Sequence, residues 1–373
     1  MNKNFDVWCL NTEIRELKAA IENLAINIPD KENCLKLVFF GLQTNNDYKS
    51  QITAISTIIS PYFSPMPLVS FIPQDLCGNY AYGVEITKMT DPDSSLSFLE
   101  TNEIRYLICK NSTGKFLFFE GINSDNKDQK FQEKCEAVFS VINNILSKEG
   151  FKPGEIIRQW NYIGNITNFE AGNQHYQTFN NARTAFYLQD DFMHGYPAAT
   201  GISIPDDNLI ISLIALQPAI KTNIDAIDNH WQIPAYSYSD AVLVDGKTIK
   251  TKTTPKFERA KLITMDDSVD CFVSGTAAIR NERSMYDDDV VSQTRQTIEN
   301  INFLISNENL KQNNYKKALD LQLNSIRVYI KNPEDYQTVK TEIDKAWPDI
   351  NTIYVQADIC RRELLVEIEG IAS

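Results

Sequence analysis

The sequence predicts an α+β fold in which two similar modules each combine a mixed β-sheet with helices packed on one face. Strand-like and helix-like segments alternate from about residue 100 onward, and the same order of segments occurs twice. Corresponding segments lie 154 to 156 residues apart. We therefore divide the chain into residues 1–218, an N-terminal extension with a first, divergent module, and residues 219–373, a second module.

The first stretch, up to about residue 100, contains signals for helices and strands but no candidate catalytic or binding residues. Asn11 or Thr12 is a predicted N-cap for a helix with apolar residues at helical spacing, which ends by Pro29. Residues 35–40 and 54–59 are short, β-rich apolar runs of the kind that form strands.

The two copies correspond segment by segment. A strand candidate ends at Gly121 in the first copy and at Gly275 in the second, and a helix-period segment follows each. After a further strand and helix, each copy closes with a strand at residues 209–214 or 364–369, which are 155 positions apart. The alternative is that any two α+β segments share such an order.

The closing strand of the second copy carries two glutamates on one face. Alternation places Glu367 and Glu369 together, about 7 Å apart, and Arg361 stands at the start of this strand. Two interpretations remain on these residues alone. The pair performs proton transfer beside an anion-binding arginine, or, as the pattern favours, both glutamates face solvent on an amphipathic strand.

The first copy lacks these acids, because Ser212 and Ile214 stand where the second copy has Glu367 and Glu369. A glutamate that served only the solubility of the strand could recur in both copies. The difference favours a single site per chain, at the seam between the copies.

Three arginines are candidates for binding an anion, and each stands beside turn or strand-edge residues: Arg183, Arg259 and Arg361. A guanidinium group suits bidentate carboxylate binding, so two or three converging arginines would select a substrate with two carboxylates. Taken singly, each is typical of a surface or ion-pair residue. Cys360, beside Arg361, is interpreted as a packed thiol rather than a reactive one.

Composition excludes several classes of function. The net charge of −13 and the pI near 4.8 argue against nucleic-acid binding and leave room for a small anionic substrate held by local arginines. Seven scattered cysteines without a C-x-x-C pair, and no signal-like or 18-residue apolar run, predict a cytoplasmic protein that does not enter membranes. No metal or cofactor is predicted, since there are three histidines and no nucleotide-binding motif.

Two local signals concern the region around the second copy. Asp245 and Gly246 between apolar residues predict a two-residue hairpin turn. The acidic run at residues 287–289 precedes a helix, where capping explains it better than a metal does.

The second copy looks like a RidA/YjgF module, which has a chorismate-mutase-like fold. The resemblance covers roughly the last hundred residues, through residues 272–275, 293–301, 360–361 and 366–372.

Over about residues 160 to 373 the chain resembles the chorismatases, a family with two such modules in one chain. The residues that carry this likeness are 176–183, 197–202, 229–236, 257–260 and 274–277. The resemblance implies an enzyme that cleaves the enolpyruvyl ether of chorismate to pyruvate and a dihydroxycyclohexadiene carboxylate or a hydroxybenzoate.

The resemblance also implies roles for individual residues. Glu367 would be the catalytic acid, Tyr236 would help to position the substrate, and the three arginines would hold its carboxylates. Ala277 and Cys360 would line the substrate site, at positions where family members differ. The chain departs from the family at Asn281, Arg283 and Tyr286 and over residues 240–255.

Two other functions remain open. A RidA-like imine or enamine deaminase would use Arg361 and Glu367 on a substrate with one carboxylate, and a non-catalytic small-molecule binder would tolerate the loss of Glu367. A chain with two modules would need fewer partners than a single-module trimer, so a monomer or small homo-oligomer is expected.

Overall fold

The computed structural model describes residues 3–44, 47–124, 126, 128–242 and 252–373, and three main β-sheets organise this part of the chain. We call the regions around them the N-terminal, middle and C-terminal modules. In each, strands and helices bury apolar residues between sheet and helices, and the sheets also pack against one another. The α+β class and the RidA-like modules are confirmed.

The N-terminal module is a four-stranded sheet with two helices. Its elements are β1 (Phe5–Thr12), α1 (Leu17–Asn27), β2 (Cys34–Gly41), α2 (Tyr48–Ile59), β3 (Leu68–Ile72) and β4 (Tyr82–Met89).

The middle module contains a six-stranded sheet. Its elements are β5 (Ser95–Thr101), β6 (Ile104–Lys110), β7 (Gly114–Ser124), α3 (Phe131–Lys148), β8 (Ile156–Gly164), β9 (Phe169–Glu170), β10 (Asn173–Gln174), α4 (His175–Tyr187), β11 (Ala198–Ile204) and β12 (Leu209–Pro218).

The C-terminal module also contains a six-stranded sheet. Its elements are β13 (Asn223–Ile227), β14 (Ala260–Met265), β15 (Ser268–Ala277), β16 (Ile279–Arg280), β17 (Arg283–Ser284), α5 (Val290–Leu304), α6 (Asn307–Gln312), β18 (Leu323–Ile330), α7 (Tyr336–Ala346), β19 (Asn351–Gln356) and β20 (Val366–Ala372). The chain changes from the middle sheet to this one between Pro218 and Asn223, and the division after residue 218 stays a prediction.

All three modules share one topology. The orders β1-β4-β2-β3, β7-β12-β8-β11 and β15-β20-β18-β19 correspond, with the last strand of each module in sequence antiparallel to both of its neighbours. The repeat therefore extends to the N-terminal region, for which the sequence predicted only an extension.

The modules meet in a ring. Strand β3 lies against β7, β11 against β15, and β19 against β1, so each module contacts the next and the last contacts the first. One buried ion pair crosses each contact, joining Lys36 to Glu120, Arg158 to Glu369 and Arg327 to Glu85. Removing one partner of such a pair would leave an uncompensated buried charge.

Several local predictions for the first hundred residues are corrected. Helix α1 is capped by Glu16, whose carboxylate accepts hydrogen bonds from the backbone N–H groups of Lys18 and Ala19. Asn11 and Thr12 belong to β1 instead. Residues 54–59 form the end of α2 rather than a strand, because their β-branched residues also fit the buried face of a helix.

Two further predictions lie near the C-terminal module. Asp289 caps α5 by accepting a hydrogen bond from the backbone N–H of Ser292, as the acidic run predicted. The predicted turn at Asp245 and Gly246 lies outside the described residues.

Candidate active site

A cavity opens at the seam between the middle and C-terminal modules. Its volume is about 790 Å³, including the space at its open mouth. The lining comes from α4 and β11 of the middle module and from the strands and loops of the C-terminal module: Tyr176, Gln177, Asn180, Arg183, Ala199, Gly201, Tyr238, Val242, Pro255, Phe257, Arg259, Gly275, Ala277, Ile279, Cys360, Arg361, Leu364 and Glu367.

Strand β20 carries the candidate acid into this cavity. Glu367 pairs with Ala277 of β15 on one side and with Tyr329 of β18 on the other, which fixes its direction. A Cβ added at Gly275 would collide with Glu367 Oε1, so glycine at this position makes room for the carboxyl group.

The expectation that both glutamates face solvent is wrong. Glu367 is 5% exposed and Glu369 is 2% exposed, because the face of β20 that carries them is covered by the middle module. Alternation along a strand shows which residues share a face, but another module can bury the polar face.

The two glutamates are placed differently. Glu369 accepts hydrogen bonds from Trp160 Nε1 and Tyr329 Oη, both at 3.0 Å, and it is also bonded to Arg158 and Thr200. Among the described residues we find no hydrogen-bond donor to the carboxyl group of Glu367. Glu369 is therefore held in place by its hydrogen-bond partners, whereas Glu367 is available to a ligand.

Burial and the neighbouring charge of Glu369 raise the pKa of Glu367 to about 8. The charges of Arg158 and Arg259 oppose this rise without cancelling it. At neutral pH the carboxyl group is thus mainly protonated, so it can donate a proton.

Two deeply buried arginines face the cavity without a carboxylate partner. Arg183 is 2% exposed and donates from Nη2 to Asn180 Oδ1 at 2.7 Å, while Arg259 is 3% exposed and donates to Ile233 O at 3.0 Å. The Nε of each has no hydrogen-bond partner among the described residues. A buried guanidinium group without a counter-ion is costly, and an anionic ligand would satisfy it.

Helix α4 places Arg183, which corrects the expectation that this residue stands beside a turn. Its neighbours in the helix, Tyr176 and Asn180, lie on the same face at positions i−7 and i−3 and also line the cavity.

Arg361 is fixed by the β16–β17 hairpin. Its Nη1 donates to Glu282 O at 2.8 Å and to Ser284 Oγ at 3.2 Å. In the described part of the chain, neither Arg361 nor the other two cavity arginines forms an ion pair. The segment in which the sequence departs from the expected pattern therefore holds one of the three cavity arginines.

The remaining predicted residues are placed as follows. Ala277 and Cys360 both line the cavity, and burial raises the pKa of the Cys360 thiol to about 12, as a packed thiol requires. Tyr236 is not among the described lining residues, and its ring lies against that of Tyr196, with 5.6 Å between the centroids. Two residues further on, Tyr238 reaches the cavity in its place.

Three further features of the described residues can be stated. No group of three or more His, Cys, Asp and Glu side chains there has the arrangement to hold a metal ion. None of the helices in the described ranges is both long and apolar enough to cross a membrane. The seven cysteines are all free thiols.

Two protein-family models match the chain. Residues 99–215 match "Chorismatase FkbO/Hyg5-like, N-terminal", and residues 262–373 match "Endoribonuclease L-PSP". The first range coincides closely with the middle module and the second with most of the C-terminal module.

Individual relatives extend this match. The chain is 30% identical over 250 residues to a 3-hydroxybenzoate synthase of Streptomyces hygroscopicus, covering 65% of this chain and 70% of the relative. It is 28% identical over 267 residues to a chorismatase of Streptomyces rapamycinicus, covering 70% and 75%. A crystal structure of a chorismatase superposes over the whole of both chains with a TM-score of 0.73 at 19% identity, which concerns the fold.

The fold and the cavity together define a protein of RidA-type modules with a buried acid and unpaired arginines at one seam. The sequence identity to the 3-hydroxybenzoate synthase, which extends over 70% of that relative, shows to which family the chain belongs. The chain belongs to the chorismatase family.

Proposed function

We propose that this protein cleaves the enolpyruvyl ether of chorismate and releases pyruvate, with a dihydroxycyclohexadiene carboxylate or a hydroxybenzoate as the second product. The observation that carries the proposal is the combination of a protonated, buried Glu367 with three unpaired arginines in one cavity. Chorismate has two carboxylates and an enol ether, so it requires both an anion site and an acid.

In this mechanism Glu367 protonates the terminal methylene carbon of the enolpyruvyl group. The methylene becomes a methyl group, the adjacent carbon becomes an oxocarbenium ion, and Glu367 is left as a carboxylate. Water then adds to that carbon and returns a proton to Glu367. The resulting hemiketal collapses to pyruvate, and the ether oxygen leaves as the alcohol of the ring.

An internal rearrangement is the second way to resolve the cation. In that case the bond between the ring carbon and the ether oxygen breaks, and its electron pair forms the carbonyl group of pyruvate. The neighbouring ring hydroxyl oxygen bonds to that ring carbon instead of water and gives its proton to Glu367. Opening of the resulting epoxide, with a proton moved from ring carbon to oxygen, leaves a hydroxybenzoate. The step performed by Glu367 is the same for both products, so the acid does not by itself decide between them.

The arginines bind and orient the two carboxylates. Arg183 comes from the middle module, whereas Arg259 and Arg361 come from the C-terminal module, so a dianion bridges the seam. Orientation of this kind supplies much of the rate enhancement, since positioned acid catalysis alone contributes about 10²–10⁴-fold.

The same set of arginines weighs against a RidA-like deaminase. A substrate with one carboxylate needs one guanidinium group, whereas the described cavity offers three without counter-ions. A non-catalytic binder is likewise disfavoured, because a binder gains nothing from an acid whose pKa is raised to about 8.

The test is to incubate the protein with chorismate and to follow pyruvate with a coupled lactate dehydrogenase. We expect pyruvate release by the wild-type protein and its loss in Glu367→Gln, which keeps the shape of the side chain but cannot donate the proton. No pyruvate above the blank would overturn the proposed reaction. An unaffected Gln variant would overturn the role of Glu367.

We further propose that the protein acts in the cytoplasm, as a monomer or small homo-oligomer, without nucleic acid. The cysteine usage supports the compartment. The ring of three modules supports the small assembly, because one chain already supplies the inter-module contacts that a single-module protein obtains from partners.

A further inference from the structure

Glu369 stands beside the acid but outside the substrate cavity. It follows Glu367 on the same face of β20, about 7 Å away. Its side chain lines a separate cavity of about 450 Å³, whose lining comes from all three modules, and it is not among the described residues that line the substrate cavity. An effect of Glu369 on the reaction therefore has to pass through Glu367.

Two guanidinium groups hold the carboxylate of Glu369 in place. Arg158 forms an ion pair with it from the middle module, and Arg327 Nη1 lies 3.2 Å from its Oε1. Trp160 and Tyr329 add neutral donors, each at 3.0 Å. Ion pairs and hydrogen bonds of this kind fix the negative charge of Glu369 at one place.

The two arginines do not leave an excess of positive charge around Glu369. Arg327 also donates from Nε and Nη2 to Glu85, at 2.7 and 2.6 Å, so two carboxylates share it. Next to burial, the charge of Glu369 is the largest cause of the raised pKa of Glu367, and it outweighs the opposing charge of Arg158.

Thr200 connects Glu369 to the wall of the substrate cavity. Its hydroxyl group donates to Glu369 and accepts hydrogen bonds from Arg158 Nη2 at 2.9 Å and from the backbone N of Gly275 at 3.2 Å. Gly275 borders Glu367, because a Cβ added there would collide with Glu367 Oε1. The two carboxyl groups are thus held in a fixed arrangement.

We propose that Glu369 is a positioning residue, whose fixed negative charge keeps the proton on Glu367 until it is transferred to the substrate and thereby sets the upper pH limit of the reaction. The inference deepens the proposed chorismate cleavage and rests on it. After the transfer, the ionised Glu367 lies beside a second carboxylate. Their repulsion favours the return of a proton to Glu367.

The other charged or titratable groups that face Glu367 keep their state over the range of the test. Arg158 of β8 and Arg259, just before β14, stay positive. Burial raises the pKa of Tyr176 in α4 and raises that of Cys360, before β20, to about 12. Both groups are therefore neutral below about pH 9, so a fall in rate below that pH reports Glu367.

The test is the pH dependence of kcat/KM for pyruvate release by Glu369→Gln, between about pH 5 and pH 9. Without the neighbouring charge, ionisation of Glu367 costs less, so the fall in rate should begin about 1–2 pH units lower than in the wild-type protein. At pH 8 the variant should be about 10-fold slower or more, and at pH 5.5 within about 3-fold of wild type. An unmoved or raised limb, or an equal loss at every pH, overturns the inference.

Glu120→Gln is the matched control. It also removes a buried carboxylate that pairs with a cation across a module contact, since Glu120 lies 2.7 Å from Lys36. Its pH profile should fall at the same pH as that of the wild-type protein. An equal displacement in both variants overturns the inference, because any broken ion pair would then move the limb.

A double variant covers the case in which Glu369→Gln does not fold. Arg158→Leu/Glu369→Leu removes both members of a buried ion pair and leaves no uncompensated charge between them. Because Glu369 acts on Glu367 more strongly than Arg158 does, the limb should again move to lower pH, by a smaller step. An unmoved limb in this variant overturns the inference.

The outcomes separate this inference from the proposed function. A wild-type protein that releases no pyruvate overturns the proposed function and the inference together. An active wild-type protein whose pH profile is shared by Glu369→Gln overturns the inference alone.

Discussion

The seam between the middle and C-terminal modules and the seam between the N-terminal and middle modules are built alike, yet only the first contains the acid. Both have a glycine at an irregular point of the first long strand, Gly275 in β15 and Gly121 in β7. Beyond Gly275 lies Glu367, whereas Gly121 donates its N–H to Ser212 Oγ at 3.1 Å and faces the hydroxyl group of Tyr48. The two seams therefore share this backbone feature and differ in the side chains placed at it.

The third seam, between the C-terminal and N-terminal modules, has a glutamate at the position that corresponds to Glu367, but this glutamate is paired with an arginine. Glu85 pairs with Val38 across its sheet as Glu367 pairs with Tyr329, so the two glutamates correspond. Glu85, however, accepts two hydrogen bonds from Arg327, at 2.6 and 2.7 Å. Burial opposes its ionisation, but Arg327 outweighs burial and holds the pKa of Glu85 below its usual value.

The comparison shows that the position of the nearest cation decides the role of a buried carboxyl group. With a close cation it forms an ion pair, and without one it stays available as a proton donor. Glu85 has a bidentate partner and acts as part of an ion pair between modules. Glu367 has no such partner among the described residues, and its pKa rises to about 8. In the proposed mechanism, the cavity arginines Arg183, Arg259 and Arg361 bind the substrate instead.

The largest expected effect is that of Glu367→Gln on turnover. The amide cannot donate the proton, so kcat should fall by about 10²–10⁴-fold. Binding of chorismate, measured by calorimetry, should change little. The matched variant is Glu85→Gln, whose kcat per folded molecule should stay near that of wild type. An equal loss of kcat in both variants would show that the two seams do not differ in function.

Arg259→Met should lower kcat/KM by about 100-fold. The variant removes a charged hydrogen-bond donor to a substrate carboxylate while keeping most of the apolar volume of the side chain. Arg295→Met is a suitable control, because Arg295 is an exposed residue that pairs with Glu342 and does not line the cavity. Initial rates over a range of chorismate concentrations give the comparison, and a similar loss in both variants would count against a specific site.

Replacing each of the two corresponding glutamates by glutamine should change the free energy of unfolding in opposite directions. Glu85→Gln breaks a buried ion pair and should lower the free energy of unfolding by about 3–5 kcal/mol. Glu367→Gln should raise it by about 1–3 kcal/mol at pH 8 to 9, measured by urea unfolding.

The sign for Glu367 follows from its raised pKa. A carboxyl group with a higher pKa in the folded state costs stability as pH rises from its ordinary value of 4.5 through about 8, whereas glutamine does not titrate. The gain should therefore vanish near pH 4. A gain of equal size at every pH would point to packing instead.

The smallest expected effects come from the two glycines. Gly275→Ala places a methyl group against Glu367 and should lower kcat/KM by about 10-fold through displacement of the acid. Gly121→Ala, at a φ of +69°, should cost about 1–2 kcal/mol of unfolding free energy and leave turnover of the folded protein unchanged. Thermal melting and steady-state kinetics on both variants would show whether this division holds.

Much of the fold could be predicted from sequence, whereas the strand pattern favoured solvent-facing glutamates and the family resemblance alone pointed to Glu367 as the acid. The spacing of strand and helix segments gave two modules, and the difference between Ser212 and Glu367 indicated a single site. The third module was missed because the β-branched run at residues 54–59 suggested a strand where α2 lies. That error concealed the order of elements shared by all three modules.

Other features depend on contacts that local patterns do not contain. The burial of Glu369 comes from Trp160 and Arg158 of another module, so alternation along β20 could not show it. Proximity in sequence also could not show that Tyr238, rather than Tyr236, reaches the cavity. Helical spacing from Arg183 to Tyr176 was a signal that could have identified α4 as part of the site.

The most direct test of the account is the pH dependence of kcat/KM for pyruvate release from chorismate, which reports the free enzyme. A general acid is active while protonated, so the rate should be level below about pH 8 and should fall roughly tenfold per unit above it. A rate that instead rises as pH increases through this range would show that Glu367 does not act as the proton donor.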